Sequence, residues 1–415
     1  MTLIRCWILC AALGAAPALA QPLSLDEALR AGEAQSPRIA AQRFAALGAE
    51  QQTGRAGELP DPKLRFGIEN LPVTGEDRLR YDRDFMTMRS VGLMQEFPNA
   101  AKRAARNDLA RRQHDLENTN LVVEMTTLRR RIAGAWLETH YAERLRSALE
   151  DQARQLRLQV DAVAAGVVRG RQAAAESVMW RQAFEQANDR VIEQEREVQK
   201  ARLALAVWIG EQAQRELAAP PDTARLPVVH ERLVEQLAAR HPRLRALEQR
   251  EAVARAGTEL ARSGRRSDWA LELGYAHRRP AFDNMITVMA TFELPWQTAR
   301  RQDRDVASRL AELEQARALR EDERRVREAQ LRGWLADFDT AARRIERFER
   351  ILLPLARERA ALAAAAYRGG RGVLAPALDA ARSVPEAEAE FVRALAERGR
   401  AWANLAYLYP EEGGQ

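Results

Sequence analysis

Residues 84–103 read DFMTMRSVGLMQEFPNAAKR, and this stretch decides the fold. Its first half alternates imperfectly and lacks a helical period, which predicts a β-strand at residues 85–95. The pattern breaks at Pro98 and continues as a long, charged, alanine-rich helical pattern. A weaker relative, NMITVMATFELPWQTARR, recurs at residues 284–301. Two strand-to-helix junctions of one kind in a single chain indicate a duplicated unit.

The other predicted strands have a clearer period of two. Residues 63–71, KLRFGIENL, alternate apolar and polar side chains, which is typical of a strand with one apolar face. Residues 268–278 repeat the pattern with tryptophan, leucine and tyrosine on one face, and residues 285–294 supply a partner strand. The chain is therefore predicted to hold four amphipathic strands, two in each half.

Helical patterns surround each strand pair in the same order. Ser24 and Glu27 form a predicted capping box for a helix that Pro37 divides. His241-Pro242 echoes that division in the second half, and helical hairpins are predicted at residues 99–210 and 298–409. A seven-residue repeat of small and apolar residues along the first long helix predicts coiled-coil packing.

A constant offset of 200 residues aligns the ends of the two hairpins without a gap. It pairs Gly170 with Gly370 and Arg171 with Arg371. We therefore predict a first repeat at residues 21–228 and a second at residues 229–415. Each is a helix, a β-hairpin, a long helix and a returning helix.

The N-terminal residues 1–20 have the three parts of a secretory signal peptide: a basic start, a short apolar core and an A-x-A ending. Both cysteines, Cys6 and Cys10, lie inside this segment, so the mature chain is expected to contain none. No later run is long and apolar enough for a transmembrane helix. The charge of +6 comes from interspersed arginine and glutamate along helices, which indicates solvated faces and argues against nucleic-acid binding.

Four strands of about ten residues have the length of transmembrane β-strands. Lipid does not tolerate an open sheet edge, and known membrane barrels need at least eight strands. The chain would therefore contribute a sector to a shared barrel, with eight strands from a dimer or twelve from a trimer. The alternative is a four-stranded amphipathic sheet on a soluble helical domain.

These features resemble TolC-type outer membrane efflux proteins over the whole mature chain. The resemblance rests on the duplicated order, on the junction prolines Pro98 and Pro295, and on the tip sequence YRGGRGVLAPALDA at residues 367–380. The segments PDPKL, NLP, MTM and QEFP between residues 60 and 98 are similar to the heavy-metal/cation efflux branch.

The resemblance implies an α+β, mostly α membrane protein that forms a homotrimer. Its twelve-stranded β-barrel would lie in the outer membrane and continue as a long α-barrel in the periplasm. A periplasmic adaptor (membrane fusion protein) and an inner-membrane, proton-driven resistance-nodulation-division pump would be its partners. The implied function is the exit duct of a tripartite efflux system that exports heavy-metal cations. Drug efflux, type I protein secretion and a soluble periplasmic coiled-coil adaptor are the alternatives.

The resemblance also implies a periplasmic gate and adaptor-contacting tips. Asp379 matches a family gate acid, but Pro376 replaces its companion acid and Gly372 replaces the gating arginine, beside Arg371. The gate candidates are Asp379, Arg371 and Tyr367. The adaptor-contacting tips are Arg169, Gly170, Arg171, Gly369, Gly370 and Gly372.

No motif of a catalytic site, a cofactor site or a metal site with ligand spacing is present in the sequence, so an enzyme is not expected. Methionines gather in the predicted strands, where lipid contact or packing is a commoner role than a soft-metal path. They are Met86, Met88, Met94, Met285 and Met289. Trp269, Tyr275 and Trp296 suit an aromatic girdle at a membrane interface.

Overall fold

A computed structural model describes residues 21–169, 173–226 and 230–410. The predicted signal peptide, residues 1–20, lies outside the described residues. The structure is 72% helical and holds one four-stranded antiparallel sheet. This confirms the prediction of a mostly α fold with four strands.

The elements follow the predicted order twice. In the first half they are α1 (Leu25–Gln35), α2 (Pro37–Ala56), β1 (Lys63–Glu69), β2 (Met88–Phe97), α3 (Ala100–Val168) and α4 (Ala174–Ile209). In the second half they are α5 (His230–Arg240), α6 (Pro242–Ser263), β3 (Trp269–His277), β4 (Met285–Phe292), α7 (Gln302–Arg347), α8 (Leu353–Arg368) and α9 (Leu374–Ala406). Short 3₁₀ turns follow α4 and precede α7.

Local chemistry sets several helix ends where the sequence predicted them. The Ser24 side chain accepts a hydrogen bond from the Glu27 backbone, and the Glu27 carboxylate accepts one from the Ser24 backbone. This is the predicted capping box. Pro37 begins α2 and Pro242 begins α6, because proline is tolerated in the first turn of a helix, where its missing N–H has no partner to lose.

The second strand starts later than predicted, at Met88 instead of residue 85, and runs to Phe97. The Asp84 side chain accepts a hydrogen bond from the Met86 backbone at 2.6 Å, which closes a turn. The ladder with β1 starts only at Met88, beyond this turn.

The second long helix is interrupted, although the sequence predicted one continuous segment. A π-helical turn at Phe348–Leu352 separates α7 from α8. Pro354 lies in the first turn of α8 and has no N–H for the carbonyl four residues earlier. We attribute the wider turn to this missing hydrogen bond.

The chain forms two compact units, and each unit draws on both halves of the sequence. The helical unit contains residues 21–36, 128–169, 173–226 and 333–407. The sheet unit contains residues 37–127, 230–332 and 408–410.

Trp136 of α3 anchors the core of the helical unit. Its side chain is fully buried, and its indole N–H donates to the Leu23 carbonyl at 3.2 Å. Leu23 also forms a parallel bridge with Leu217, so the segment before α1 is held against the segment after α4. A Cβ on Gly32 would meet the Ile132 side chain at 2.3 Å, and the absence of a side chain there lets α1 approach α3 closely.

In the sheet unit, the strand order is β1-β2-β3-β4 and every neighbouring pair is antiparallel. The β1–β2 and β3–β4 connections lie at one end of the sheet, called here the loop end. The strands join helices at the other end, called here the helix end.

Candidate functional site

One face of the sheet, called here the apolar face, is a nearly continuous sheet of exposed hydrophobic side chains. The strand register places residues from all four strands in transverse rows on this face, such as Phe66, Val91, Tyr275 and Ile286. The exposed apolar members are Leu64, Phe66, Ile68, Val91, Leu93, Trp269, Leu271, Leu273, Tyr275, Ile286, Val288 and Phe292. Such a large contiguous apolar patch marks a surface that another apolar phase or molecule covers.

The helix end of the apolar face is closed by a row of aromatic rings. Phe97, Trp269 and Phe292 lie opposite one another in the register. The Phe97 and Trp269 rings stack with centroids 4.3 Å apart, and Phe292 lies 6.4 Å from Trp269. Of the predicted girdle residues, Trp269 therefore belongs to an aromatic row.

The loop end of the same face is closed by a basic row. Arg89 lies opposite His277 in the register, and its guanidinium stacks over Tyr81 at 4.7 Å. Trp269 and His277 are eight residues apart on β3, so the apolar face spans about 26 Å along the strand at about 3.3 Å per residue. That length matches the apolar band of about 25 Å on membrane β-barrels.

The opposite face, called here the polar face, carries small and charged residues. Arg65 of β1 reaches across the sheet to Glu272 of β3, with Nη1 2.8 Å from Oε1. A Cβ on Gly92 of β2 would come within 3.1 Å of the Glu272 carboxylate, so this glycine leaves room for the crossing ion pair. Lys63 and Glu96 form a second ion pair on this face.

Methionines are concentrated on the polar face, not on the apolar face. The register places Met88, Met94, Met285 and Met289 among the small and charged residues, and Met86 lies before the strand. Among the described residues, no group of three or more His, Cys, Asp and Glu side chains stands close enough to hold a metal ion.

Both outer strands of the sheet have one free edge. β1 pairs only with β2, and β4 pairs only with β3, within the described part of the chain. The backbone N–H and C=O groups on those two edges are a template for pairing with another strand.

No described helix combines the length and the apolar character that crossing a membrane requires.

The first strand-to-helix junction is tied by a network of hydrogen bonds. Asn99 accepts from the Lys102 backbone at 2.8 Å, which caps α3, and its amide donates to the carbonyls of Ser263 and Arg266. Asp268, just before β3, accepts from the Asn99 backbone at 2.8 Å and from the Lys102 ammonium at 2.5 Å. Partial burial raises the pKa of Asp268, but the hydrogen bonds from Lys102 and Asn99 outweigh it and hold the pKa below its usual value.

The second junction is looser. Pro295 lies in residues 293–301, which connect β4 to α7 through a short 3₁₀ turn without a side-chain cap. Trp296 beside it is 87% exposed, the largest exposed fraction among the described tryptophans. Pro98 and Pro295 therefore both follow a strand, but only Pro98 lies directly between a strand and an α-helix.

The helical unit contains the ends of the two helical hairpins, whose side chains share one core. Leu156, Val160 and Val163 of α3 pack with Trp180 of α4 and Leu374 of α9. These α3 residues have the three- and four-residue spacing of a coiled-coil seam, as the seven-residue repeat predicted. Tyr367 of α8 packs on the same core, and its hydroxyl donates to Glu176 at 2.7 Å.

The other two gate candidates lie near the surface of this region. Asp379 is exposed and forms an ion pair with Arg359, with Nη2 2.6 Å from Oδ2. Arg371 is exposed in the turn between α8 and α9. The structure thus places Asp379 and Tyr367 in separate polar contacts and does not join them.

Backbone geometry explains two of the predicted tip glycines. Gly370 has a φ of 67°, a left-handed conformation that favours glycine. A Cβ on Gly372 would come within 3.0 Å of the Ala366 and Tyr367 backbone. Gly369 ends α8, and Arg169 is exposed after α3. Gly170 and Arg171 lie outside the described residues.

Sequence reasoning missed the partners of these residues. Arg359 and Glu176 lie 20 and 191 residues from the side chains they contact. Asn99 and Asp268 are 169 residues apart. Arg359 and Asp379 lie on different helices, and none of these three contacts has a signal in the local sequence.

No protein-family model matches the chain, and no curated protein matches it. Several solved structures match the chain closely in fold. A membrane protein from Pseudomonas aeruginosa aligns with a TM-score of 0.78 at 19% identity, covering 92% of this chain and 93% of that one. The outer-membrane channel OprN aligns with a TM-score of 0.78 at 15% identity, covering 93% and 90%.

CusC, whose crystal structures concern the conformational changes that accompany folding and transmembrane channel formation, aligns with a TM-score of 0.76 at 15% identity. The alignment covers 92% of this chain and 91% of CusC. The chain therefore has the fold of TolC-type outer membrane channels, as the sequence resemblance implied.

Proposed function

We propose that this chain is the exit duct of a tripartite efflux system, placed in the outer membrane and extending into the periplasm. The observation that carries the proposal is the apolar face of the sheet. It is exposed, about as tall as the apolar band of a membrane barrel, and bounded by aromatic rings at one end. The fold shared with outer membrane channels supports the same interpretation.

The two free sheet edges support assembly. In hydrocarbon, each unpaired backbone group costs several kcal/mol, so β1 and β4 need partners. Three copies would close a barrel of twelve strands, with the apolar face toward lipid and the polar face toward the lumen. The helices would form the periplasmic wall, and the protein would be a passive path and not an enzyme.

Two neighbouring positions of β4 test the membrane placement directly. Val288 lies on the apolar face and Thr287 on the polar face, and both are exposed. Val288→Arg would put a charge into lipid, at a cost of about 2–4 kcal/mol near the bilayer midplane. We expect Val288→Arg to lower the amount of trimer in outer membrane fractions, while Thr287→Arg assembles normally.

The same preparations give the channel measurement. Wild-type protein should migrate as a heat-modifiable trimer from outer membrane fractions and conduct ions in planar bilayers. Equal accumulation of the two arginine variants, or absence of wild-type protein from the outer membrane, would contradict the proposal and favour a soluble periplasmic role.

For the gate, we propose that Asp379 contributes one carboxylate per copy to a ring at the periplasmic entrance, with Tyr367 and Arg371 nearby. Its ion pair with Arg359 is exposed, and exposed pairs are weak, so Asp379 can exchange partners. A carboxylate ring attracts cations and repels anions. Bilayer recordings should show cation selectivity that Asp379→Asn reduces; unchanged selectivity would remove Asp379 from the gate.

The proposed cargo is heavy-metal cations, and the sequence segments near the first strand pair support it. The proposed partners are a periplasmic adaptor, contacted by the tips at Arg169–Arg171 and Gly369–Gly372, and an inner-membrane proton-driven pump. Deletion should sensitise cells to metals such as copper, zinc or cadmium. Sensitivity to drugs alone, or loss of a secreted protein, would replace the metal cargo by one of those substrates.

A further inference from the structure

We infer that Trp296 of one copy inserts into a groove beside β1 of the next copy and so locks neighbouring chains together. The inference rests on the proposed shared barrel and adds the contact that joins its sectors at the helix end. Two features of the sheet unit carry it: an exposed tryptophan after one edge strand and an open groove before the other.

Trp296 has no hydrogen-bond or ring partner among the described residues of its own chain. Its side chain is 87% exposed, and its indole N–H makes no hydrogen bond within the described residues. Leu294, two residues earlier, is 73% exposed. Tryptophan buries more apolar area than most side chains, and it is enriched among the residues that dominate protein interfaces.

A lipid role explains Trp296 poorly. The aromatic row that ends the apolar face already contains Phe292, and Trp296 is four residues farther along the chain. The hydrogen bond from the Glu293 backbone to Asp268 continues the ladder beyond that row. Four residues reach as much as 13 Å, whereas the interfacial layer on each side of a bilayer is only about 5–8 Å thick.

The groove lies at the other edge of the sheet unit. It holds about 890 Å³ between the end of α2 and the start of α3. Its apolar lining is Ala56, Leu59, Pro60, Leu109 and Ala110. Its charged lining is Arg55, Glu58, Asp61 and Arg106, and neither arginine forms an ion pair in the described part of the chain.

These two arginines fit a tryptophan ligand. An arginine guanidinium over an indole ring gains a cation–π interaction, which is strongest with tryptophan and strengthens as the pair is desolvated. An apolar floor bordered by guanidinium groups is therefore complementary to an indole.

Strand direction brings the tryptophan and the groove together only between copies. β1 and β4 are three strand spacings apart, about 14 Å, so Trp296 and the groove flank opposite edges of one chain. β1 runs away from the helix end and β4 runs toward it. When β4 pairs with β1 of the next copy, the antiparallel order continues, and the end of β4 meets the start of that β1.

The distances along the chain then agree. Trp296 lies four residues after Phe292, the last residue of β4, and Leu59 lies four residues before Lys63, the first residue of β1. Directly opposite residues share one face of a sheet, and Phe292 and Leu64 both lie on the apolar face. A pairing of Phe292 with Leu64 of the next copy, with the stagger that barrel closure requires, would place Trp296 level with Pro60, beside Leu59. The geometry thus makes Trp296 an anchor and the groove beside Leu59 its receptor.

Disulfide trapping tests this contact in the native membrane. The chain has no cysteine after Cys10, so Trp296→Cys combined with Leu59→Cys adds the only thiols of the mature protein. Mild oxidation should link chains into covalent dimers and trimers on non-reducing denaturing gels, and a reductant should reverse this. Because the edges of one chain are about 14 Å apart, a disulfide within that chain is excluded.

The matched control pairs Trp296→Cys with Leu319→Cys, an exposed position on α7 in a different groove. It should give no covalent oligomer. If the Leu59 pair stays monomeric while wild-type protein is trimeric by light scattering, the Trp296 contact is wrong and the duct proposal stands. If wild-type protein forms no trimer, the shared barrel fails and this inference fails with it.

Point variants provide an independent readout if the double variant does not assemble. Trp296→Ala should weaken each chain–chain contact about 30-fold, as expected for an interface hot spot. Trimer dissociation on a temperature series in mild detergent reports this loss. Trp296→Phe should recover part of the effect; identical dissociation of wild type and Trp296→Ala would overturn the inference.

Discussion

The two strand-to-helix junctions arose in the same position of the two repeats, yet the structure treats them differently. At the first, only Pro98 and Asn99 separate β2 from α3, and Asn99 caps the helix. At the second, residues 293–301 separate β4 from α7, and no side chain caps the intervening 3₁₀ turn. The duplicated order therefore does not imply duplicated anchoring.

The position of each junction in the sheet explains the difference. β2 lies between β1 and β3, so the residues that follow it can reach Asp268 at the start of β3 in the same chain. β4 is an edge strand, and the residues that follow it have neighbours from their own chain on one side only. The first junction is completed within one chain, whereas the second exposes its apolar residues for a contact from outside.

Removing the Asn99 side chain should give the largest loss of stability and so test the difference between the two junctions most strongly. Asn99→Ala deletes the α3 cap, worth about 1 kcal/mol. It also deletes the contacts from the two amide N–H groups to Ser263, Arg266 and Asp268, worth about 1 kcal/mol for each N–H when solvent access is partial. We expect a loss of about 2–4 kcal/mol in unfolding free energy, measured by denaturant or thermal unfolding in detergent.

Gln297→Ala at the second junction is the matched control. The Gln297 backbone carbonyl accepts hydrogen bonds, but its side chain makes none within the described residues. Gln297→Ala should change the unfolding free energy by no more than about 0.5 kcal/mol, as other surface substitutions do. Equal effects of the two variants would show that the first junction is not the better anchored one.

The ion pair at the first junction should make its stability depend on pH. The folded-state pKa of Asp268 is lowered, so its stabilisation is complete above the unfolded value of about 3.9 and is lost as the pH falls through the folded value. Asp268→Asn should cost about 1–2 kcal/mol at pH 7, since Asp268 and Lys102 are partly exposed and solvent screens their pairing.

Melting curves of wild type and Asp268→Asn between pH 7 and pH 3 measure this directly. The difference in melting temperature should shrink as the pH falls below about 4. At the second junction, Asp303 of α7 pairs with Arg265, with Nη2 2.7 Å from Oδ1, but both side chains are exposed. Asp303→Asn should therefore change the melting temperature at pH 7 less than Asp268→Asn does. A difference that stays constant to pH 3 would assign the Asp268 effect to packing and not to charge.

Local patterns predicted most of the fold. Period-two alternation located β1 and β3, the lack of a helical period before Pro98 and Pro295 located β2 and β4, and prolines located the breaks before α2 and α6. The capping box at Ser24 and Glu27 formed as expected. These features depend on residues within one or two helical turns of one another. Over that range, the local sequence largely determines the backbone conformation.

The remaining differences came from turn chemistry and from distant partners. The Asp84 turn that delays β2 and the Pro354 break in the second long helix both had local signals that the periodicity outweighed. The contact between Asn99 and Asp268 spans 169 residues, and only the folded sheet brings them together. The gate candidates were found through family resemblance, but the Arg359 and Glu176 contacts required coordinates.

Adding a helix cap at the second junction should have the smallest effect on stability. Unlike the changes above, it should stabilise the fold. Arg301 occupies the position before α7, and its carbonyl accepts from the Asp305 backbone. An arginine there is unfavourable beside the positive end of the helix dipole, and asparagine is a preferred cap. Arg301→Asn should therefore raise the unfolding free energy by about 0.5 kcal/mol.

The size of that gain depends on the backbone at this position. Arg301 has φ −119° and ψ −82°, outside the extended conformation of most helix caps, so the gain is expected at the low end. Arg300→Asn, one residue earlier in the 3₁₀ turn, removes the same charge without reaching the cap position and should leave the melting temperature nearly unchanged. If both variants stabilise equally, the benefit is electrostatic; if Arg301→Asn destabilises, the loose backbone of the second junction is itself required for the fold.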